Sequence, residues 1–321
     1  MAILIAELCQ NHNGDEKIVE EMVHAASEAG ADYAKIQSID SSELTYRERF
    51  ENGIIEGGKT RVIKRPYKQE YERLKSLDLS ENFQLNFYKL CEKYKIKPMT
   101  TIFTRSKFQL VNKMNLDCLK ISSFDCASHK LIDELKKLNI KKFIISTGAT
   151  FDREIIQTVN IMKKNNLDYS LLHCISIYPT TPEVANLNRI NFLSKFSKNV
   201  GISDHSNPDL YKYKIIAASI LLGASIVEKH FTILDKNKTK DGVVSANPYQ
   251  LKEISNICKM SPKELQSYVY ENVEEFENMK GYETRELTET ELLNRDYYQG
   301  RFASKVKKKY IFNWENRDLE N

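Results

Sequence analysis

No apolar run in the 321-residue chain approaches the roughly 18 residues that a membrane-spanning helix needs. The apolar start Met1-Ala2-Ile3-Leu4-Ile5-Ala6 is interrupted by Glu7. It is too short for a signal-peptide core and has no basic leader. A basic excess is missing too: 48 lysines and arginines face 44 aspartates and glutamates, a net charge of +4. That balance argues against the dense basic stripe of a nucleic-acid-binding protein. Cys-x-x-Cys pairs are absent as well. The six cysteines, at 9, 91, 118, 126, 174 and 258, stand apart, which argues against a zinc knuckle or a thioredoxin-type site. Most lie in apolar surroundings such as Leu172-His173-Cys174-Ile175, and they are expected to be reduced and buried in a cytoplasmic protein. There is no internal repeat and no low-complexity tract.

What remains is the composition of a globular protein, 41% hydrophobic and 29% charged, long enough for one large α/β barrel or two ordinary domains. Short apolar runs alternate with segments of helical period. Strands are expected at Ile3 to Glu7, Tyr33 to Gln37, Pro98 to Ile102, Cys118 to Ser122, Lys142 to Ser146, Tyr169 to Cys174, Val200 to Ser203 and Ser225 to His230. Helices are expected between them. Residues 16 to 29 repeat Ile18, Met22, Ala25, Ala26 and Ala29 at spacings of three and four. Residues 81 to 94 and 151 to 164 read similarly, and Asp209 to Leu222 follows Pro208. Such alternation implies a parallel sheet, and eight units between residues 3 and 230 match a closed barrel. An open doubly wound sheet would carry a glycine-rich turn after its first strand, whereas Leu8-Cys9-Gln10-Asn11-His12-Asn13-Gly14 has one glycine. The expected fold is therefore α/β, a (β/α)8 TIM barrel over residues 1–280 with a short C-terminal extension over 281–321.

Two regions break the rhythm. Asp40 to Ser80 is polar and rich in Arg, Lys, Glu and Tyr; it reads either as a lid or oligomer contact or as a solvated surface loop. Residues 247 to 279 are expected to be helical, followed by an acidic stretch and a basic, aromatic tail from Arg295 to Trp314.

The unusual polar residues fall at the C-terminal ends of the expected strands: Glu7; Lys35 and Gln37; Thr100 and Thr101; Lys120, Ser122 and Ser123; Ser146 and Thr147; His173 and Ser176; Ser203, Asp204 and His205; Glu228 and His230. In a parallel barrel these ends meet at one rim, where barrel active sites lie. One such residue is commonly a helix cap or turn residue; polar residues at all eight ends are not explained that way. Lysine is a compact charge suited to phosphate and carboxylate, so two lysines among many hydroxyls suit a small, multiply anionic ligand. His205 and His230, on neighbouring strands, are a candidate pair for a divalent metal. His12 reads either as a first-loop substrate contact or as a turn residue, His24 and His129 as structural, and His173 as a packed strand residue.

Ile5-Ala6-Glu7, Asn11-His12-Asn13-Gly14, Ala29-Gly30-Ala31-Asp32, Lys35-Ile36-Gln37, Ser146-Thr147-Gly148, His173-Cys174 with Tyr178-Pro179-Thr180, Gly201-Ile202-Ser203-Asp204-His205-Ser206 and Glu228-Lys229-His230-Phe231 together resemble the sialic acid synthase family, in its order and with similar spacing. The resemblance implies a barrel transferase that condenses phosphoenolpyruvate with an open-chain N-acyl hexosamine, such as N-acetylmannosamine, to a nonulosonic acid and phosphate. It implies that Lys35, Thr101, Lys120, Ser123, Ser146, Ser176 and Ser203 hold phosphoenolpyruvate. Gln37, Asp125, Tyr178 and Asp241 would contact the sugar, and Glu7 stands at the family's active-site carboxylate. His205 and His230 would bind the metal, commonly Mn2+, with Mg2+ or Co2+ as alternatives. Glu7, Lys35, Lys120 and Asp241 are the expected catalytic residues. A homodimer is implied; a nucleic-acid or membrane partner is not.

The chain departs from that pattern in places. Ile175 stands where the family usually has Thr, and Ile102 replaces a Pro. Ser123-Phe124-Asp125 is nearer the Ser-Phe-Glu of pseudaminic-type enzymes than the Ser-Gly-Glu of N-acetylneuraminate synthases. Arg301-Phe302-Ala303-Ser304-Lys305 and Lys307 to Asn316 resemble only the first third of the family's C-terminal antifreeze-like (SAF) domain, which in family dimers gives an Arg to the partner's sugar. Two alternatives follow. One is a condensing enzyme for a phosphorylated sugar, like 3-deoxy-octulosonate-phosphate synthase, with Arg61 and Arg65 as candidates for the extra basic pocket. The other is a non-catalytic relative.

Overall fold

A computed structural model describes residues 1–319. All eight expected strands form: β1 (Ile3–Cys9), β2 (Tyr33–Ser38), β3 (Lys97–Ile102), β4 (Cys118–Ile121), β5 (Lys142–Ser146), β6 (Asp168–Cys174), β7 (Val200–Asp204) and β8 (Ile226–His230). They close into a parallel barrel in chain order, β1 pairing with both β2 and β8. The register brings the polar residues level. Glu7 lies opposite Lys35 on one side and His230 on the other. Thr101 lies opposite both Gln37 and Lys120, and Glu228 opposite Ser203.

Below that polar layer, Ile5, Met99, Cys118, Ile144, Leu172 and Ile226 fill the barrel, in the layered packing typical of the fold. Outside, the helices bury their apolar stripes. The helix Glu16–Glu28, capped by the Asp15 side chain on Lys17 N, turns Val19, Met22, Val23 and Ala26 inward. All six cysteines are buried and unpaired. Among the described residues no helix is long and apolar enough to cross a membrane.

Two expected helices are broken. The stretch from Asp209 to Leu222 forms two helices, Pro208–Tyr211 and Lys214–Leu221, parted at Lys212, whose φ of 49° is not helical. Residues 247 to 279 form three, Pro248–Lys259, Pro262–Asn272 and Phe276–Lys280. Pro262 has no N–H to continue the preceding helix, and Ser261 caps the next one through a reciprocal bond with Glu264.

The insertion after β2 is packed at Leu44, Phe50, Val62 and Leu74 and exposed over residues 54–61. It holds a hairpin (Ile54–Glu56 with Lys59–Val62) and the helix Tyr67–Lys75. Leu44 and Leu74 pack with Phe302, and Phe50 and Val62 with Tyr297. The C-terminal segment thus lies on the same chain's barrel. Its helix Glu289–Tyr298 leads to a short hairpin, Ser304–Val306 with Lys309–Ile311. Thr45 N donates to Arg301 O at 3.0 Å. Arg105, buried, donates to Glu134 at 3.0 Å, to Phe312 O at 2.9 Å and to Arg317 O at 3.1 Å, so its charge is paired as burial requires.

Candidate active site

Two lysines and two carboxylates share the rim. Lys35 Nζ contacts Glu7, lies 2.9 Å from Glu228 Oε2 and donates to Thr101 Oγ1 at 3.2 Å. Lys120 Nζ lies 3.7 Å from Glu228 Oε1 and donates to Ser146 Oγ at 2.7 Å. Ser203 Oγ donates to Glu228 Oε1 at 2.8 Å. Every one of these side chains is buried. Burial works against ionisation of Glu228, yet Lys120 and Lys35 hold its carboxyl well below the usual range. Burial likewise opposes the Lys35 charge, and Glu228 with Glu7 overcomes it and holds the ammonium above its ordinary value. Burial wins at Lys120, whose pKa is lowered despite Glu228. A buried cluster of this kind is stable because its charges cancel, and an entering dianion competes with Glu228 for both lysines.

Next to Lys120 the loop after β5 makes a tight cradle. Gly148 N donates to Ser123 Oγ at 3.1 Å. A Cβ on Gly148 would collide with Ser176 Oγ and stand 2.7 Å from Cys174 Sγ and 2.9 Å from Ser123 Oγ. Glycine here lets two serine hydroxyls meet a backbone amide, a donor-rich setting for oxyanions.

The histidines stand beside these groups, His230 level with Glu7 across the β1–β8 pairing and His205 next to Cys174. The His205 and His230 rings lie 5.2 Å apart. His205 Nδ1 is 3.1 Å from Ile175 O and Nε2 is 3.0 Å from the Tyr178 hydroxyl. Burial, with His230 adding to it, pushes the His205 pKa down to about 3, which keeps the imidazole neutral as metal binding requires. His230 Nδ1 is buried without a hydrogen-bond partner and lies 3.8 Å from Asp241 Oδ2. Ligand atoms of Cys9, His230 and Asp241 come within 4.8 Å of one another. A buried nitrogen lone pair without a donor is costly; a divalent cation held by imidazole and carboxylate satisfies it, so the donor set fits a metal.

Both lysines, Glu7, Glu228, Ser123, His205, His230 and Asp241 line one cavity of about 440 Å³ at the C-terminal mouth of the barrel. Residues 22–269 match the NeuB family. The chain belongs to that family. It is 36% identical over 267 residues to an uncharacterized protein of Methanocaldococcus jannaschii, covering 82% of this chain and 72% of that one. It is 30% identical over 260 residues to a pseudaminic acid synthase of Helicobacter pylori, covering 80% and 74%. A crystal structure of N-acetylneuraminic acid synthetase from Leptospira borgpetersenii superposes with a TM-score of 0.70 at 26% identity, covering 92% of this chain and 90% of that one.

Against this NeuB-family background, the cavity gathers Glu7, Lys35, Gln37, Thr101, Lys120, Ser123, Ser146, Tyr178, Ser203, His205, His230 and Asp241. Two of the expected residues stand elsewhere. Ser176 is buried behind Gly148. Asp125 opens on an adjoining niche with Phe103, Phe124 and Phe302. Its carboxylate accepts from Ser122 Oγ at 2.7 Å and from Ser128 Oγ and Asn313 Nδ2 at 3.2 Å, and burial raises its pKa to about 6. These bonds tie it to its own loop and to the tail. His173 is a packed residue, its Nε2 2.7 Å from Ala185 O, and His12 is a turn residue, its Nδ1 accepting from Gly14 N at 3.0 Å.

Sequence reasoning places Glu228, in β8, at the rim without a role and names Arg65 only for a phosphorylated sugar; it leaves out Lys240, Asn294, Tyr298 and Arg301 as parts of the same wall. Arg65 comes from the insertion and the last three from the tail, so no local spacing announces them. Burial, then Arg73, lowers the Lys240 pKa to about 8.

Proposed function

We propose that the protein condenses phosphoenolpyruvate with an open-chain N-acyl hexosamine to give a nonulosonic acid and inorganic phosphate. The observation that carries this reading is the pairing of Lys35 and Lys120 around Glu228 beside the Ser123–Gly148 cradle, with the His230–Asp241 corner in the same cavity. On this reading Lys35 and Lys120 receive the carboxylate and phosphate, helped by Thr101, Ser123, Ser146 and Ser203. Gln37, Tyr178 and Asp241 orient the sugar. A divalent metal at His205 and His230, Mn2+ in the resemblance, supplies Lewis-acid polarisation of the aldehyde when bound. The new carbon–carbon bond joins C3 of phosphoenolpyruvate to the aldehyde carbon, whose oxygen takes a proton and becomes a hydroxyl; water adds at C2 and loses both its protons as the C2–O bond to phosphate breaks and the C2 ketone forms. Glu7, fixed by Lys35 and by Cys9 N at 2.6 Å, lines the cavity and pairs with one lysine where Glu228 pairs with two, and it is assigned the first proton that the water loses. Holding both reactants together and presenting preformed charge supplies the rate. A cytoplasmic location, supported by the six unpaired cysteines, and a homodimer, testable by light scattering, belong to the same proposal.

A second reading has its own observation. Arg65, Lys240 and Arg301 make a basic wall on the cavity, which suits a phosphate on the acceptor sugar. Phosphate release from phosphoenolpyruvate with Mn2+, across free N-acyl hexosamines and their 6-phosphates, separates the two. Turnover with a free sugar supports the first, turnover with only phosphorylated sugars the second, and turnover with none overturns both.

A further inference from the structure

Cys9 occupies an unusual place. It ends β1 just past a register shift between Glu7 and Cys9, a bulge that re-aims its side chain. Its φ is 41°, a left-handed conformation that side-chain-bearing residues rarely adopt and that clusters at functional sites. The thiol is fully buried, and its sulfur shares a 4.8 Å neighbourhood with the ligand atoms of His230 and Asp241. His230 supplies the independent observation: its side chain is 9% exposed and its Nδ1 has no hydrogen-bond partner. One imidazole nitrogen, one carboxylate oxygen and one sulfur within 4.8 Å of one another are donors of the kind that hold a first-row transition metal.

We infer that Cys9 is a thiolate ligand to the metal of this site, joining His205, His230 and Asp241 in a nitrogen, oxygen and sulfur set that prefers Zn2+, Co2+ or Fe2+ to Mn2+ or Mg2+. The inference rests on the reading of this rim as a metal site. The preference follows from softness: thiolate favours the later, more polarisable ions, whereas carboxylate and water suit Mg2+ and Mn2+. The metal replaces the thiol proton, which passes to solvent.

The test loads the metal-free full chain with one equivalent of Co2+ and records its near-ultraviolet spectrum. The expected result is a thiolate-to-cobalt charge-transfer band in the parent protein. The band is absent in Cys9→Gly and Cys9→Ser, and Zn2+ affinity falls at least about tenfold, the least that even an outer-shell change costs, while Mn2+ affinity falls less. Glycine is chosen because φ 41° suits it, so Cys9→Gly keeps the fold; serine preserves the shape. Stoichiometric Co2+ binding without the band overturns the cysteine assignment and leaves the metal site standing. A band that survives in Cys9→Gly overturns it in favour of Cys174, whose sulfur is 3.7 Å from His205 Nδ1. Failure to bind Co2+ at all overturns both the assignment and the metal reading.

Discussion

Lys35 Nζ and Glu228 Oε2 stand 2.9 Å apart inside the barrel mouth, an ion pair between neighbouring sides of the site that only ring closure through β1 brings together. Replacing Glu228 by Gln leaves Lys35 and Lys120 facing each other with one carboxylate fewer. Loss of one member of a buried pair costs about 3–5 kcal/mol, and urea denaturation of Glu228→Gln is expected to show a loss in that range. Phosphoenolpyruvate should restore more stability to this variant than to the parent, because it supplies the missing negative charge. Equal ligand-induced shifts in the two proteins would falsify the arrangement.

Lys120 donates to Ser146 and borders the Ser123–Gly148 cradle. Lys120→Met is expected to lower kcat/KM for phosphoenolpyruvate by about 100-fold or more, the scale of losing one preorganised donor. Gly148→Ala, whose Cβ would strike Ser176, is expected to raise KM for phosphoenolpyruvate and leave the KM for the sugar nearly unchanged. Steady-state kinetics with each substrate varied in turn measures both; a sugar-side effect of equal size would contradict the placement of the phosphate.

The tail is latched by Arg105 through Glu134 and the carbonyls of Phe312 and Arg317. Arg105→Ala orphans these acceptors, and about 3–5 kcal/mol of local stability should be lost. Limited proteolysis is then expected to cut within residues 300–319 first, with sugar KM rising because Tyr298 and Arg301 leave the cavity wall. A variant as resistant to protease as the parent would show that the latch lies elsewhere.

Burial lowers the pKa of His173 to about 3 and that of His12 to about 4. Both values are depressed below the unfolded value of about 6.5, so the unfolded chain binds more protons in between. The stability from these two neutral rings is complete above about pH 6.5 and is lost as pH falls toward 4, at about 1.4 kcal/mol per unit for each ring. The urea midpoint should fall between pH 7 and pH 5, and His173→Gln should flatten that fall. A midpoint independent of pH over this range would contradict it.

The fold was legible because each strand is a short apolar run followed by a helical period, and that rhythm survives even where a helix breaks. Lys212 and the Ser261-Pro262 junction hid their breaks inside apolar stripes that continue across them. The rim was legible at the strand ends for the same reason: Lys35, Lys120, His205 and His230 sit within three residues of where an apolar run stops. Glu228 was read as a strand end, but its role depends on two lysines more than 100 positions away in sequence. Arg65 and Arg301 reach the cavity from the insertion and the tail, whose mutual packing through Leu44, Leu74 and Phe302 is a tertiary fact that no periodicity carries. Asp125 illustrates the converse. Its position suggests a sugar contact, and the bond it takes from the tail's Asn313 is one that no local spacing announces.

Arg301 reaches the barrel mouth on a segment that bonds to Thr45 and pairs Phe302 with Leu44 of its own chain. Whatever this guanidinium contributes is therefore present at a local concentration set by folding, and no encounter between molecules is needed to supply it. Turnover per molecule that relies on Arg301 should stay constant on serial dilution, long past the point at which any complex between copies would have come apart.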